Sequence, residues 1–272
     1  MKYLYDDVSN KISKIITNQY STSFSFSSRL LGQNIRPAIY SIYGLVRLAD
    51  EIVDSFHGYE KEEMLAELRQ EYNKSIKRKI SINPVLNSFQ KVYHDYNFEP
   101  YLVDKFFDSM AMDLKPKDYN ESLYNQYIHG SAEVVGLMCL KVFCEEREYE
   151  KLEEYAISLG SAFQKVNFLR DMKSDFEERG RVYFPGVKFD TFSETDKKSI
   201  EKDIANDFNN ALIGIKMLPS VAKSGVYLSY KYYLELLNKI KSKDSSTIKT
   251  ERVRVSNMKK FMIFVGTYLN PA

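Results

Sequence analysis

An all-α fold is predicted by three properties of this sequence. Glycine and proline number only 11 and 7 among 272 residues, strand signals are scarce, and apolar residues mostly recur at spacings of three and four. The pattern predicts helices over residues 4–18, 34–56, 60–78, 82–96, 99–114, 120–144, 148–178, 195–217, 221–242 and 253–268. Pro37 suits the first turn of the second of these, where its missing N–H is no loss. Three polar loops stand between helices: Lys115-Pro-Lys-Asp-Tyr-Asn120, the long stretch from Arg179 to Lys198, and Ser242-Lys-Asp-Ser-Ser-Thr247. Each is flanked by helices of similar composition, so none reads as a linker, and residues 1–272 are expected to form a single domain.

The composition is 44% apolar and 28% charged, as in soluble globular proteins. Thirty-nine basic residues against 37 acidic ones leave a net charge of +2. There is no global field for nucleic acid, and any charge-based recognition must be local. Twenty-one tyrosines and 17 phenylalanines, with no tryptophan, supply aromatic walls for a large apolar core or pocket. Cys139 and Cys144 lie in an apolar helical run without zinc-site spacing or His partners, and read as buried, reduced thiols. The N-terminus has no apolar signal core, and no run reaches the ~18 apolar residues of a membrane span. The expected location is the cytoplasm.

The chemistry is concentrated in Gln164-Lys-Val-Asn167-Phe-Leu-Arg170-Asp171-Met-Lys-Ser-Asp175, with Arg181-Val-Tyr183-Phe-Pro185 just beyond. Asn167, Asp171 and Asp175 recur every fourth residue and share one helix face. Tyr43-Gly-Leu-Val-Arg47-Leu-Ala-Asp50-Glu-Ile-Val-Asp54 repeats the arrangement. Acidic pairs four apart are common: with 37 acids, (37/272)² × 268 gives roughly five by chance. The combination carries more weight, because both pairs sit in apolar helices and both have an arginine close before the first aspartate. Aspartates buried that deeply need cations. Mg²⁺ suits them, being hard and oxygen-ligated, with a substrate phosphate to complete its shell. His57, His94 and His129 fit no zinc spacing. Arginine beside each pair matches phosphate bidentately. Between the ladders, Gly130 and Gly136 interrupt a helical pattern, for close packing or for close approach of a ligand. Arg252, Arg254, Lys259 and Lys260 on the last predicted helix read, by charge alone, as a solvated basic patch.

Five ordered segments together resemble the squalene/phytoene synthases, the head-to-head isoprenoid synthases, over essentially the whole chain. They are Tyr20-Ser-Thr-Ser-Phe24-Ser, Tyr40 through Asp54, Tyr127-Ile-His-Gly-Ser-Ala-Glu-Val-Val135-Gly136, Gln164 through Asp175 with Arg181-Val-Tyr-Phe-Pro185, and Glu251-Arg252-Val-Arg-Val. The resemblance implies an isoprenoid synthase fold whose helices surround a central cavity. Carried over position by position, it makes Asp50, Asp54, Asp171 and Asp175 the metal-binding carboxylates, with Asn167 beside them. Arg47, Arg170, Tyr43, Tyr233, Arg252 and Lys260 become diphosphate contacts, and Phe24, Tyr127, Val135, Gly136 and Gln164 become lining of the prenyl channel. Two departures stand out: Thr22 where relatives often carry a basic residue, and Glu51 as second residue of the first aspartate motif.

The activity implied is Mg²⁺-dependent condensation of two prenyl diphosphates, with Mn²⁺ as a substitute and with reversible membrane contact at the inner face for release of a hydrocarbon. Ser28 lies one turn after Phe24, where a large side chain would shorten the channel. Its smallness favours geranylgeranyl diphosphate and 15-cis-phytoene. The runner-up is farnesyl diphosphate with a dehydrosqualene or squalene product, the latter requiring NADPH. A non-catalytic assembly or lipid-binding relative is a remote third reading, disfavoured because every Asp and Arg of the motifs is kept.

Overall fold

The protein is described by a computed structural model that covers residues 1–115 and 119–269. Among these residues there is helix and no strand, as the spacing predicts. The helices are α1 (Lys2–Tyr20), α2 (Thr22–Arg29), α3 (Arg36–Asp54), α4 (Lys61–Arg78), α5 (Pro84–Asp95), α6 (Pro100–Met112), α7 (Glu121–Ile128), α8 (Val134–Phe143), α9 (Glu146–Arg179), α10 (Glu194–Met217), α11 (Ser220–Lys241), α12 (Ser245–Ile248) and α13 (Asn257–Leu269). Of the polar loop predicted at 115–120, residues 116–118 lie outside the described residues.

Local chemistry sets the boundaries. Asn83 accepts from the amides of Val85 and Leu86 while Pro84 opens α5, Asn120 caps α7, and Ser193 and Asp196 form a reciprocal capping box on α10. Gly180 ends α9 with φ 62°, and the amides of Gly180 and Arg181 return to the carbonyls of Phe176 and Asp175. That turn folds Arg181 and Tyr183 back against the helix bundle.

Four boundaries differ from the sequence expectation, one being the short α12, which starts inside the predicted polar loop Ser242–Thr247. An additional helix, α2, is split from α1 by Ser21, whose extended backbone (φ −142°) and side chain cap the amide of Phe24. The run predicted as one helix at 120–144 contains a π turn at His129–Glu133 between α7 and α8. Finally, residues 251–256 form an irregular strap, so Arg252 and Arg254 precede α13 rather than lying on it.

Two apolar cores flank the long α9. One gathers α3, α4, α5, α6 and α8 around Leu45, Leu86, Phe89, Phe106 and Phe107; the other gathers α7, α10 and α11 around Val166, Leu169, Phe208 and Leu237. Small residues bring the helices close. A Cβ on Gly130 would lie 2.4 Å from the Lys105 carbonyl oxygen, and one on Gly160 would lie 2.7 Å from the Ala132 carbonyl oxygen. Gly130 therefore serves packing against α6. The contact at Gly160 is backbone, which cannot rotate away, so Gly160→Ala is expected to cost about 1–3 kcal/mol in urea unfolding through overpacking. An unchanged midpoint would mean that α9 shifts freely against the π turn.

Candidate active site

The two aspartate ladders face each other across the bundle, and an arginine joins them. Arg179, at the last turn of α9, lies 3.0 Å from Asp54 on α3 and 3.2 Å from Asp175 on its own helix. Arg47 reaches Asp50 at 2.6 Å, also pairs with Glu51, and lays its guanidinium over the Tyr20 ring at 4.4 Å. Arg170 grips the adjacent Asp171 with two N–H groups, and the Nε of Arg252 on the strap reaches the same carboxylate at 2.7 Å. The predicted Asp50, Asp54, Asp171, Asp175, Arg47, Arg170 and Arg252 thus form one site. Lys260 faces Arg170 from α13; burial and that neighbouring positive charge pull its ammonium below the ordinary lysine range. The basic tail is part of the site rather than only a solvated patch.

Two features were not predicted. Arg179, which the polarity of 179–198 assigns to a loop, is the last residue of α9. Asp113, at the C-terminal end of α6, is almost fully enclosed, accepting from Arg181 at 2.7 Å and from the Tyr127 hydroxyl at 2.7 Å. Tyr127 therefore does not line the channel: it is buried in an aromatic cluster with Tyr119, Phe168 and Tyr183, where its phenol serves Asp113. Gln164 likewise lies off the cavity wall. The sequence signal for the Asp113 cluster was the quoted Arg181-Val-Tyr183 motif, which names the partner and not the carboxylate.

Burial governs the protonation of these acids. It raises Asp50 to about 6, with Asp54 adding to the effect. Asp175 rises to about 7, burial being opposed by Arg179 and reinforced by Asp171, Asp54 and Asp113. Asp113 rises to about 7 against the pull of Arg181. The folded protein thus holds protons that the unfolded chain releases above pH ~4. The stability tied to these protons is complete below the unfolded value and lost as pH rises through 6 to 7. Without added divalent cation, the melting temperature is expected to be higher at pH 6 than at pH 8 by at least about 2 °C. Equal values in a thermal scan would mean that the arginines already neutralise the acids.

The donor set fits a hard cation. All donors are oxygens, and the Asn167 Oδ1, one turn from Asp171, is buried without a hydrogen-bond partner. Among the described residues no three acids converge tightly enough to share an ion, and Arg179 stands between Asp54 and Asp175.

Below the charged groups opens an apolar cavity of about 270 Å³, near the lower end of the roughly 300–1,000 Å³ of small-molecule pockets. Phe24, Val135 and Gly136 line it as predicted, and Leu31, Phe143 and Leu152 line it as well. Gly136 also lets the Ala156 carbonyl approach, so it serves close packing of α8 on α9 while lining the cavity. Phe24 stacks on Tyr43 at 4.8 Å, and Phe163, another wall residue, stacks on Tyr233 at 3.9 Å. The pairs connect the apolar wall to the charged site. Cys139 is on this wall, Cys144 ends α8, and neither is in a disulfide.

A family model described as squalene/phytoene synthase matches residues 17–204, more than half of the chain. The chain belongs to the squalene/phytoene synthase family. This is a family of prenyltransferase-type synthases that perform head-to-head prenyl condensation. The 4,4'-diapophytoene synthase of Staphylococcus haemolyticus is 23% identical, with 92% of each chain covered. The chloroplastic phytoene synthase of Narcissus pseudonarcissus is 26% identical over 95% of this chain, which spans 65% of the plant protein's length. In fold, the chain superposes on a dehydrosqualene synthase with TM-score 0.84 at 19% identity, covering all of both chains. It also superposes on squalene synthase HpnC from Alicyclobacillus acidocaldarius with TM-score 0.76 at 17% identity, covering 88% of this chain and 95% of the other. No helix among the described residues is long and apolar enough to cross a membrane.

Proposed function

We propose that this chain condenses two molecules of geranylgeranyl diphosphate head to head, through a cyclopropylcarbinyl diphosphate, to 15-cis-phytoene. The observation that carries this reading is the depth of the cavity beneath the charged site. Its α9 wall extends to Leu152, nineteen residues from Asp171 and hence about 28 Å along the helix at 1.5 Å per residue. Phe143, Leu152 and Leu218 line its far part, while Ser28 leaves its side open.

Arg47, Arg170, Arg179 and Arg252 are the groups that would exchange their carboxylate partners for diphosphate oxygens, with Lys260, Tyr43 and Tyr233 beside them. Asp50, Asp54, Asn167, Asp171 and Asp175 would hold Mg²⁺, which when bound supplies positive charge opposite a departing diphosphate. As the first carbon–oxygen bond ionises, the fixed arginines stabilise charge developing on the leaving group. The resulting allylic cation faces the alkene of the second substrate, and loss of a proton closes the cyclopropane. After the second ionisation, rearrangement and proton loss give the hydrocarbon. Throughout, the aromatic and aliphatic walls keep water from the cations, and the tyrosine faces attract them.

A second reading, condensation of farnesyl diphosphate to a C30 product, is favoured by the full-length likeness to a dehydrosqualene synthase and to the staphylococcal 4,4'-diapophytoene synthase. Incubating the purified protein with Mg²⁺ and either substrate, with and without NADPH, and identifying the hydrocarbon separates them. Phytoene is expected. C30 alone would transfer the assignment to the second reading, squalene if NADPH is required, and no hydrocarbon from either substrate would overturn both.

A further inference from the structure

The terminal helix α13 has two unlike faces. Lys260, Ile263, Phe264 and Thr267 turn inward, with Phe264 against Phe26 of α2 at 5.4 Å and the Lys260 carbonyl accepting from Tyr232 of α11. Met258, Phe261, Met262, Val265, Tyr268 and Leu269 turn outward, each between 37% and 75% exposed. The spacing of three, four and seven makes the outward residues one continuous stripe. A contiguous exposed stripe of large apolar side chains marks an interaction surface rather than ordinary surface variation.

Charge identifies the partner. The helix contains Lys259 and Lys260 and no acidic residue. Arg254 stands exposed on the strap before it, and Arg29 lies over the Phe26 ring on the side where α2 meets the helix. Glu235 takes up only Lys259, at 3.6 Å. Apolar side chains along one face with cations at its edges suit the boundary between acyl chains and anionic headgroups. Position agrees with this. The inner face of α13 covers the seam between α2 and α11, and those two helices supply one wall of the apolar cavity through Ser27, Ser28, Gly225 and Val226. At the same time Lys260 and the strap's Arg252 belong to the charged mouth.

We propose that the outward face of α13 seats the protein on an anionic lipid bilayer, placing the mouth and the α2–α11 wall at the membrane surface. The role of this contact, delivering a hydrocarbon to lipid, rests on the condensation reading; the contact itself does not. Sedimentation with vesicles tests it without any turnover. The protein is expected to bind vesicles of phosphatidylcholine mixed with phosphatidylglycerol, more weakly in high salt and on phosphatidylcholine alone. The double variant Phe261→Ser, Val265→Ser is expected to lose at least about tenfold in partitioning while keeping its helical circular dichroism. Arg254→Gln with Lys259→Gln is expected to weaken binding to the mixed vesicles only. Absence of vesicle binding by the unaltered protein, or undiminished binding by the double serine variant, would overturn the proposal. A lipid-free dimer that the serine substitutions dissociate, with no vesicle binding, would assign the face to a second copy of the chain and overturn it equally.

Discussion

Replacing Asp171 by alanine is expected to remove at least about 10³-fold of turnover, comparable to deleting a preorganised charge-stabilising group. Asp50→Ala is expected to do the same. Asp171 holds two arginines, Arg170 from its own helix and Arg252 from the strap. Its loss therefore removes a proposed cation ligand and also frees two guanidiniums that would otherwise be held in register for diphosphate. Asp50 is set by Arg47 in the same way. Neither replacement opens an apolar core, because both carboxylates face the site rather than the packed interior. Helical circular dichroism is expected to stay nearly unchanged, and loss of activity would then report chemistry rather than unfolding. Diphosphate release measured with saturating Mg²⁺ checks this, and full activity in both variants would remove the aspartates from the mechanism.

Both ladders were legible because a four-residue repeat inside an apolar helix is a pattern in one dimension. Their apposition was not. It depends on Arg179 reaching Asp54, a contact between residues 125 positions apart at the end of a helix whose last turn reads as polar loop. Asp113 was hidden for a related reason. It stands alone at a helix terminus without a repeating partner, and its meaning comes from Arg181, which the Gly180 turn folds back onto it.

Helix α2 escaped detection because Thr-Ser-Phe-Ser-Phe-Ser-Ser competes poorly for helix in isolation. The cap at Ser21 and the burial of Ser25, Ser27 and Ser28 against neighbouring helices override that preference. Tyr127 shows the limit of assigning a role by resemblance. Its position matched a channel residue, yet its hydroxyl is committed to Asp113 and its ring to Phe168 and Tyr183.

Ser28→Phe is expected to turn the chain-length preference from C20 toward C15. Ser28 is 1% exposed, donates to the Ser25 carbonyl, lies 3.3 Å from the Tyr40 hydroxyl and forms part of the cavity wall. A phenyl ring at this position has the cavity as its nearest free space. It would block the path toward Leu152 while leaving the mouth, the stacked aromatic pairs and the ion pairs in place. A C20 tail must reach past this point, whereas a C15 tail can stop short of it. Turnover of geranylgeranyl diphosphate is expected to fall at least about tenfold, the scale of one to three kcal/mol for steric misfit in a filled pocket. Farnesyl diphosphate is expected to be spared, with C30 hydrocarbon appearing among the products. Ser28→Ala, which keeps the space and removes only the hydroxyl, is expected to retain the C20 preference. Competition between the two diphosphates, read as the ratio of C40 to C30 hydrocarbon, measures the shift directly. A ratio unchanged by phenylalanine would mean that the C20 tail takes another path through the cavity.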